Sequence, residues 1–189
     1  MKILISAYAC EDGKGSECEI GWQIVLRLAE KYQVHVITRK NLEKKHKEYF
    51  ERKKKPTSLK FIYYDLPPIF TYLKFKKKFF LIYYYFWQIA IGIKANKLNR
   101  KYKYDIMHHL TGNMSWMPAG LALAKGKLIW GPIGSLNLPK ESYKYLNFSE
   151  ILFEKVRSIL KSILHNFDPL LRISFLKSVL ILTHTPKYI

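Results

Sequence analysis

The feature that most limits what this chain can fold into is the spacing of its apolar runs. Residues 2–8, 34–38, 59–64, 106–109, 127–130 and 179–183 are short and largely apolar, and each is separated from the next by far more than a hairpin turn. Parallel strands need crossover connections of roughly a dozen residues or more, usually helical. The pattern therefore predicts βαβ units and an α/β fold: a doubly wound, mostly parallel sheet with helices on both faces.

The connecting segments read accordingly. Ile20, Ile24 and Leu28, with Gly21, Val25, Ala29 and Tyr32, recur at helical spacing, which predicts an amphipathic helix over 17–31. Ser16 and Glu19 have the spacing of a capping box at its start. Residues 41–55 read as a charged helix or helical loop, and 72–102 as a long stretch, rich in aromatics and lysines, that is helical by its length. A helix is expected near 116–124, and further helices at 149–165 and 169–177. Gly131-Pro132-Ile133-Gly134 reads as a turn that ends the fifth strand.

With 189 residues the chain has room for one sizeable core and not for two full α/β domains. Its charge is unusual: 33 Lys and Arg against 14 acids, a formal net charge of +19. Arginine stands at 27, 39, 52, 100, 157 and 172, so lysine carries most of this charge. Lysine is a hydrated point charge, whereas the guanidinium fork suits base edges. The balance favours a diffuse anionic partner over sequence-specific nucleic-acid readout; a general lysine bias of composition is the alternative.

Cys10 and Cys18 have no Cys or His partners at metal spacing, form no disulfide framework, and suit a reducing cytosol. No metal site is expected. Residues 79–93 are too short and too polar to span a bilayer, which takes roughly 20 apolar residues. Arg39–Lys78 holds fourteen bases and four acids and leads into the aromatic run Leu81–Trp87. That combination suits an anionic membrane surface, or else a solvated charged helix beside a core helix.

In a doubly wound sheet ligands sit at the carboxyl ends of the strands, which here means loops 8–16, 109–116 and 131–137. The first loop, Glu11-Asp12-Gly13-Lys14-Gly15-Ser16-Glu17, is neither a P-loop nor a dinucleotide fingerprint. It is a glycine-bearing turn into a helix whose free N–H groups suit a phosphate oxygen, or simply the start of that helix. His108-His109 closes the fourth strand; an imidazole there can take a proton or bind a sugar hydroxyl. Adjacent strand residues face opposite ways, so at most one of the pair lines the cleft easily, and on spacing alone both read first as packed, satisfied histidines. The 131–134 glycines either make a turn or let a ligand approach the backbone.

Taken in order, KILISAYACEDGKGSECEIGW, HVITR, DLP, YYYFWQ, DIMHHLT and LIWGPIG resemble the N-terminal domain of glycosyltransferase family 4 over essentially the whole chain. The Gly-Ser-Glu turn with Gly21-Trp22 and the Trp-Gly-Pro-x-Gly segment carry most of that resemblance. Asp12, Cys18 and Glu19 depart from the family pattern. The resemblance implies a retaining enzyme of GT-B architecture, in which two facing Rossmann-like domains enclose the active site. It implies a sugar moved from a nucleotide-sugar donor, as co-substrate and without a cofactor, to a polysaccharide or lipid-linked glycan.

By the same resemblance Gly13, Gly15 and Ser16 approach the donor diphosphate and Glu17 orders their loop. His109, rather than His108, contacts the reacting sugar, and Thr111 and the Gly131–Gly134 turn line the cleft. The chain then corresponds to the acceptor-side domain over 1–183, with 184–189, where Thr185-Pro186 reads as a helix start, as the beginning of a linker helix. The family's nucleotide pocket, basic pair and paired-glutamate motif are expected on a donor domain that this sequence does not contain. The expected location is the cytoplasm, at the inner face of the plasma membrane. The competing class is a non-catalytic basic module for a membrane surface or a partner.

Overall fold

The computed structural model describes residues 1–75, 79–112, 114–134 and 140–183. In chain order the elements are β1 (Lys2–Ala7), α1 (Ser16–Lys31), β2 (Gln33–Thr38), α2 (Glu43–Arg52), β3 (Leu59–Tyr63), α3 (Pro68–Phe75) and α4 (Phe80–Tyr102). There follow β4 (Ile106–Thr111), a 3-10 turn at Gly120–Leu123, β5 (Leu128–Ile133), a 3-10 turn at Lys140–Tyr145, α5 (Phe148–Phe167), α6 (Pro169–Lys177) and β6 (Ser178–Thr183). The strands form a single sheet in the order β3-β2-β1-β4-β5-β6, parallel throughout. It is a Rossmann-like α/β fold, with the switch point between β1 and β4.

Strand alternation divides the core into two layers. Ile3, Ile5 and Ala7 of β1 join Val34 and Val36 of β2 and Trp22, Val25 and Ala29 of α1 on one face. Leu4 of β1 joins Met107, Trp130, Leu171 and the α4 side chains Tyr83, Tyr84, Trp87 and Ile91 on the other. The aromatic run is thus mainly core: Tyr83, Tyr84 and Trp87 are buried, while Ile82 and Phe86 face out. Trp87 donates from Nε1 to the Tyr64 carbonyl at 3.1 Å, and Tyr83 donates to Asp65 Oδ1 at 2.8 Å.

Three local expectations change. The Ser16–Glu19 capping box does not form: Gly15 is the N-cap, no side chain caps the helix, and Ser16 takes a left-handed φ of 49°. Glu19 instead reaches back to accept the Gly13 N–H at 2.7 Å. The stretch 72–102 is helical as expected where it is described, in the end of α3 and in α4. The helix expected near 116–124 is a 3-10 turn of four residues. And β5 does not stop before Gly131 but continues through Ile133, with its register to β6 shifted between Trp130 and Ile133. The Thr185-Pro186 helix start lies outside the described residues.

The short turn follows from a close backbone contact. A Cβ on Gly92 of α4 would meet the Gly120 carbonyl, and one on Gly120 would meet the Gln88 carbonyl. Gln88 Oε1 also accepts the Gly120 N–H at 2.8 Å. Two glycines thus let α4 and the 120–123 turn touch through their main chains. Gly120→Ala is expected to destabilise the fold by about 2–3 kcal/mol, because the obstacle is backbone and cannot rotate away; urea unfolding of the variant beside the parent checks it.

Candidate functional site

A cleft of about 410 Å³ opens at the carboxyl ends of β1, β4 and β5. Its wall includes Tyr8 beyond β1, Ser16, Glu17 and Ile20 at the start of α1, Tyr84 of α4, Gly112 just after β4, Pro132 near the end of β5 and Gly134 just beyond it. That volume falls in the range of small-molecule pockets, and so does its make-up of apolar wall with few polar groups. A larger cavity of about 650 Å³ lies at the opposite end, beside Met1, Lys2, Gln33 and Asp105. It sits at the amino ends of β1 and β2, away from the loops where parallel sheets bind ligands.

Local chemistry holds the cleft in shape. The peptide unit around Gly112 is gripped from two sides: Glu17 Oε1 accepts its N–H at 2.6 Å, and Tyr84 donates its hydroxyl to its carbonyl at 2.7 Å. Gly112 has φ 79°, and a Cβ there would collide with the Tyr84 ring. Behind it, Thr111 Oγ1 accepts the Ala9 N–H at 2.9 Å. Gly21 lets α1 close on this seam, since a Cβ would stand 2.5 Å from the Ala9 carbonyl oxygen and 2.8 Å from Thr111 Cγ2.

The β1–α1 loop has its own anchor. His46 contacts the Cys10 carbonyl through Nε2 at 2.7 Å, so that nitrogen carries the proton, and Nδ1 meets the Tyr63 hydroxyl at 3.1 Å. Burial holds the His46 pKa below its usual range. Glu11 pairs with Lys45 in the same corner.

Tyr8 stands edge-on to Tyr84 and Trp87, with ring centroids 5.0 and 4.9 Å away, and the Arg39 guanidinium lies 4.8 Å over its face. Burial pushes the Tyr8 hydroxyl up to about 12, although Arg39 pulls the other way. Tyr8, Tyr84 and Arg39 are contributors that the sequence alone did not single out. The available signal was position: Tyr8 and Arg39 directly follow β1 and β2, at the carboxyl edge.

Of the residues expected at the site, Ser16, Glu17 and Gly134 line the cleft. Gly13 and Gly15 take left-handed φ values of 70° and 62° beside it, with the Gly13 N–H committed to Glu19. Thr111 is buried behind the wall, and Gly131 packs against the Leu182 carbonyl.

The histidines flank the sheet rather than the cleft. His108 Nε2 meets the Gly131 carbonyl at 2.8 Å. His109 is 1% exposed, in register with Ser6 of β1 and Trp130 of β5. Its Nδ1 has no hydrogen-bond partner among the described residues. Burial pushes its pKa down to about 3, so it is neutral at physiological pH. It does not line the cleft.

The described wall therefore offers a carboxylate, a hydroxyl, backbone groups and aromatic faces. Such a set suits a ligand with hydroxyl donors and an apolar face better than a bare anion. Among the described residues there is no cluster of three or more His, Cys, Asp or Glu able to hold a metal, and Cys10 and Cys18 are unbonded. Compared with known proteins, the chain matches no family model and no curated protein.

The buried imidazole gives a pH test. In the unfolded chain His109 titrates near 6.5, while in the fold it stays neutral down to about 3. The unfolded state thus binds the extra proton first, and the stability held above 6.5 is lost as pH falls through that window. The slope is about 1.4 kcal/mol per pH unit for one such group. His109→Gln should flatten denaturation-derived stability against pH by about that amount; an unchanged slope would mean that His109 titrates in the fold.

Proposed function

We propose that this chain is the acceptor-side half of a retaining glycosyltransferase of GT-B architecture. Together with a donor domain it moves a sugar from a nucleotide-sugar to a polysaccharide or lipid-linked glycan. The observation that carries the reading is the cleft at the carboxyl ends of β1, β4 and β5, where Ser16, Glu17 and Gly134 meet from loops far apart in sequence. The segments that resemble glycosyltransferase family 4 most closely are the ones that border this cleft. The Rossmann-like strand order supports the same reading, because each GT-B half is such a domain.

In this reading the wall presented here holds the acceptor. A sugar donates hydroxyl hydrogen bonds to carboxylate and carbonyl oxygens and lays its apolar face on aromatic rings, and Glu17, Gly112 and the half-buried Phe80 of α4 supply both kinds of contact. Glu17 also repels phosphate, which leaves the diphosphate to the donor domain, where cationic groups stabilise the charge of the leaving group. Lysine-borne charge, at a net +19, fits work at the anionic cytoplasmic face of a membrane, where lipid-linked acceptors reside. No helix among the described residues is long and apolar enough to cross a membrane.

The isolated chain should accordingly neither transfer nor hydrolyse a nucleotide-sugar, and calorimetry should show donor binding no tighter than about millimolar. Co-expression with a GT-B donor domain should restore transfer to a soluble glycan acceptor, and Glu17→Ala should then raise the acceptor KM more than it lowers kcat. Micromolar binding of UDP- or GDP-sugars to the chain alone would overturn the division of labour. A chain indifferent to every donor domain would favour a non-catalytic binding module.

A further inference from the structure

The helix α5 is mounted the wrong way round for a water-facing element. It is capped by a complete box, with Asn147 Oδ1 accepting the Glu150 N–H at 3.0 Å and Glu150 Oε2 accepting the Asn147 N–H at 2.9 Å. Its 20 residues are amphipathic, yet none is buried. At about 100° per residue Phe148, Leu152, Phe153, Val156, Ile159, Leu160, Ile163 and Phe167 fall on one arc without a charged residue. All of them are exposed, with Phe148 at 82%, Phe153 at 66% and Phe167 at 78%.

The charged side is the one turned inward. Glu154 and Arg157 pair at 2.5 Å with side chains only 12% and 20% exposed. Burial and the nearby Arg157 hold the Lys161 pKa below its ordinary value. Leu164 is part of the inner layer, and His165 meets the ring of Phe175 of α6, with centroids 6.1 Å apart. An apolar stripe facing out along a helix about 30 Å long is an interaction surface.

We propose that α5 lies in the plane of an anionic lipid surface, with its outward stripe set among the acyl chains. The inference rests on the membrane-surface part of the reading above and names the element that enters the lipid. Charge complementarity selects the occupant. A second copy would bring +19 against +19, whereas anionic headgroups attract a basic chain. With the inward Glu154, Arg157 and Lys161 set aside, residues 144–178 still carry four bases (Lys144, Lys155, Arg172, Lys177) against two acids (Glu150, Asp168), a net basic balance near the stripe.

Aromatic groups flank it as they do at bilayer interfaces. Tyr145 is exposed just before α5, with the Lys144 ammonium 4.9 Å over its ring. At the other end, Tyr85 of α4 donates to Asp168 Oδ1 at 3.1 Å. That bond brings α4, with its exposed Ile82 and Phe86, up to the exposed Phe167, and Phe86 packs against Phe70 of α3, with ring centroids 5.8 Å apart.

Two variants test this on the intact chain. The triple change Phe153→Gln, Ile159→Gln and Ile163→Gln alters no charge and touches exposed positions, so circular dichroism and melting should stay unchanged. Its cosedimentation with phosphatidylcholine vesicles containing phosphatidylglycerol should weaken roughly a hundredfold or more, while the parent binds these and largely ignores pure phosphatidylcholine. Phe153→Trp should show emission quenched by lipids brominated in their acyl chains; the native Trp22, Trp87, Trp116 and Trp130 are all buried and report little.

Equal binding by parent and triple variant would leave surface lysines as the contact and overturn the role of α5, as would an unquenched Phe153→Trp. Absence of vesicle binding, with self-association that the triple change abolishes, would make the stripe a seam between copies and overturn the lipid proposal. Transfer to a soluble acceptor is read separately, so the transferase reading stands or falls on its own assay.

Discussion

The constraint on which everything else depends is the all-parallel sheet. Parallel neighbours cannot be joined by hairpins, so every connection must return over a face, and both faces of the central strands become covered. β1 shows the result, with Ile5 and Leu4 fully buried on opposite sides. The same constraint sends all strands out of the sheet at one edge, where their loops converge. The cleft is a consequence of topology before it is a consequence of any side chain, and the side chains then decide what it holds.

Its shape depends on a few close main-chain approaches. Gly21 lets α1 close on the β1–β4 seam, Gly112 turns through a left-handed φ that accommodates Tyr84, and Gly92 with Gly120 lets α4 contact the turn before β5. The two hydrogen bonds on Gly112 join α1, β4 and α4 at a single residue. A carboxylate bonded to a backbone N–H is charge-assisted and among the stronger hydrogen bonds. Glu17 is therefore a structural tie as well as part of the wall, and its change to alanine acts on ligand and loop together.

Much of this was legible in the sequence where period and punctuation carry it. The six strands and the body of α1 follow from short apolar runs and helical spacing, because burial on two faces leaves a strong pattern. Boundaries that depend on tertiary contact were not legible. Ser16 and Glu19 have capping-box spacing, but the loop geometry gives Glu19 to Gly13 instead. Gly131-Pro132 reads as a stop, yet β5 continues past it beside β6. His109 shows the limit at the site. Alternation says that the two histidines face opposite ways, but not that a sheet covered on both faces leaves neither of them in the cleft wall.

Helix α5 extends the point from position to orientation. Amphipathic spacing identifies an apolar side and a polar side, and in a water-soluble domain the apolar side turns inward. Here the partly buried Glu154–Arg157 pair lies on the side of α5 away from the stripe, and charges turned inward are tolerable only where they neutralise each other. Removing one partner would leave the other charge in a poorly solvated place, which destabilises a fold. The pair lies within α5, so it lowers the cost of turning the charged side inward, while Leu164 packing on the core and the His165–Phe175 contact with α6 seat the helix and leave the apolar side for an outside partner. Which way the helix faces is thus set by tertiary packing, which the periodicity of the apolar residues does not reveal.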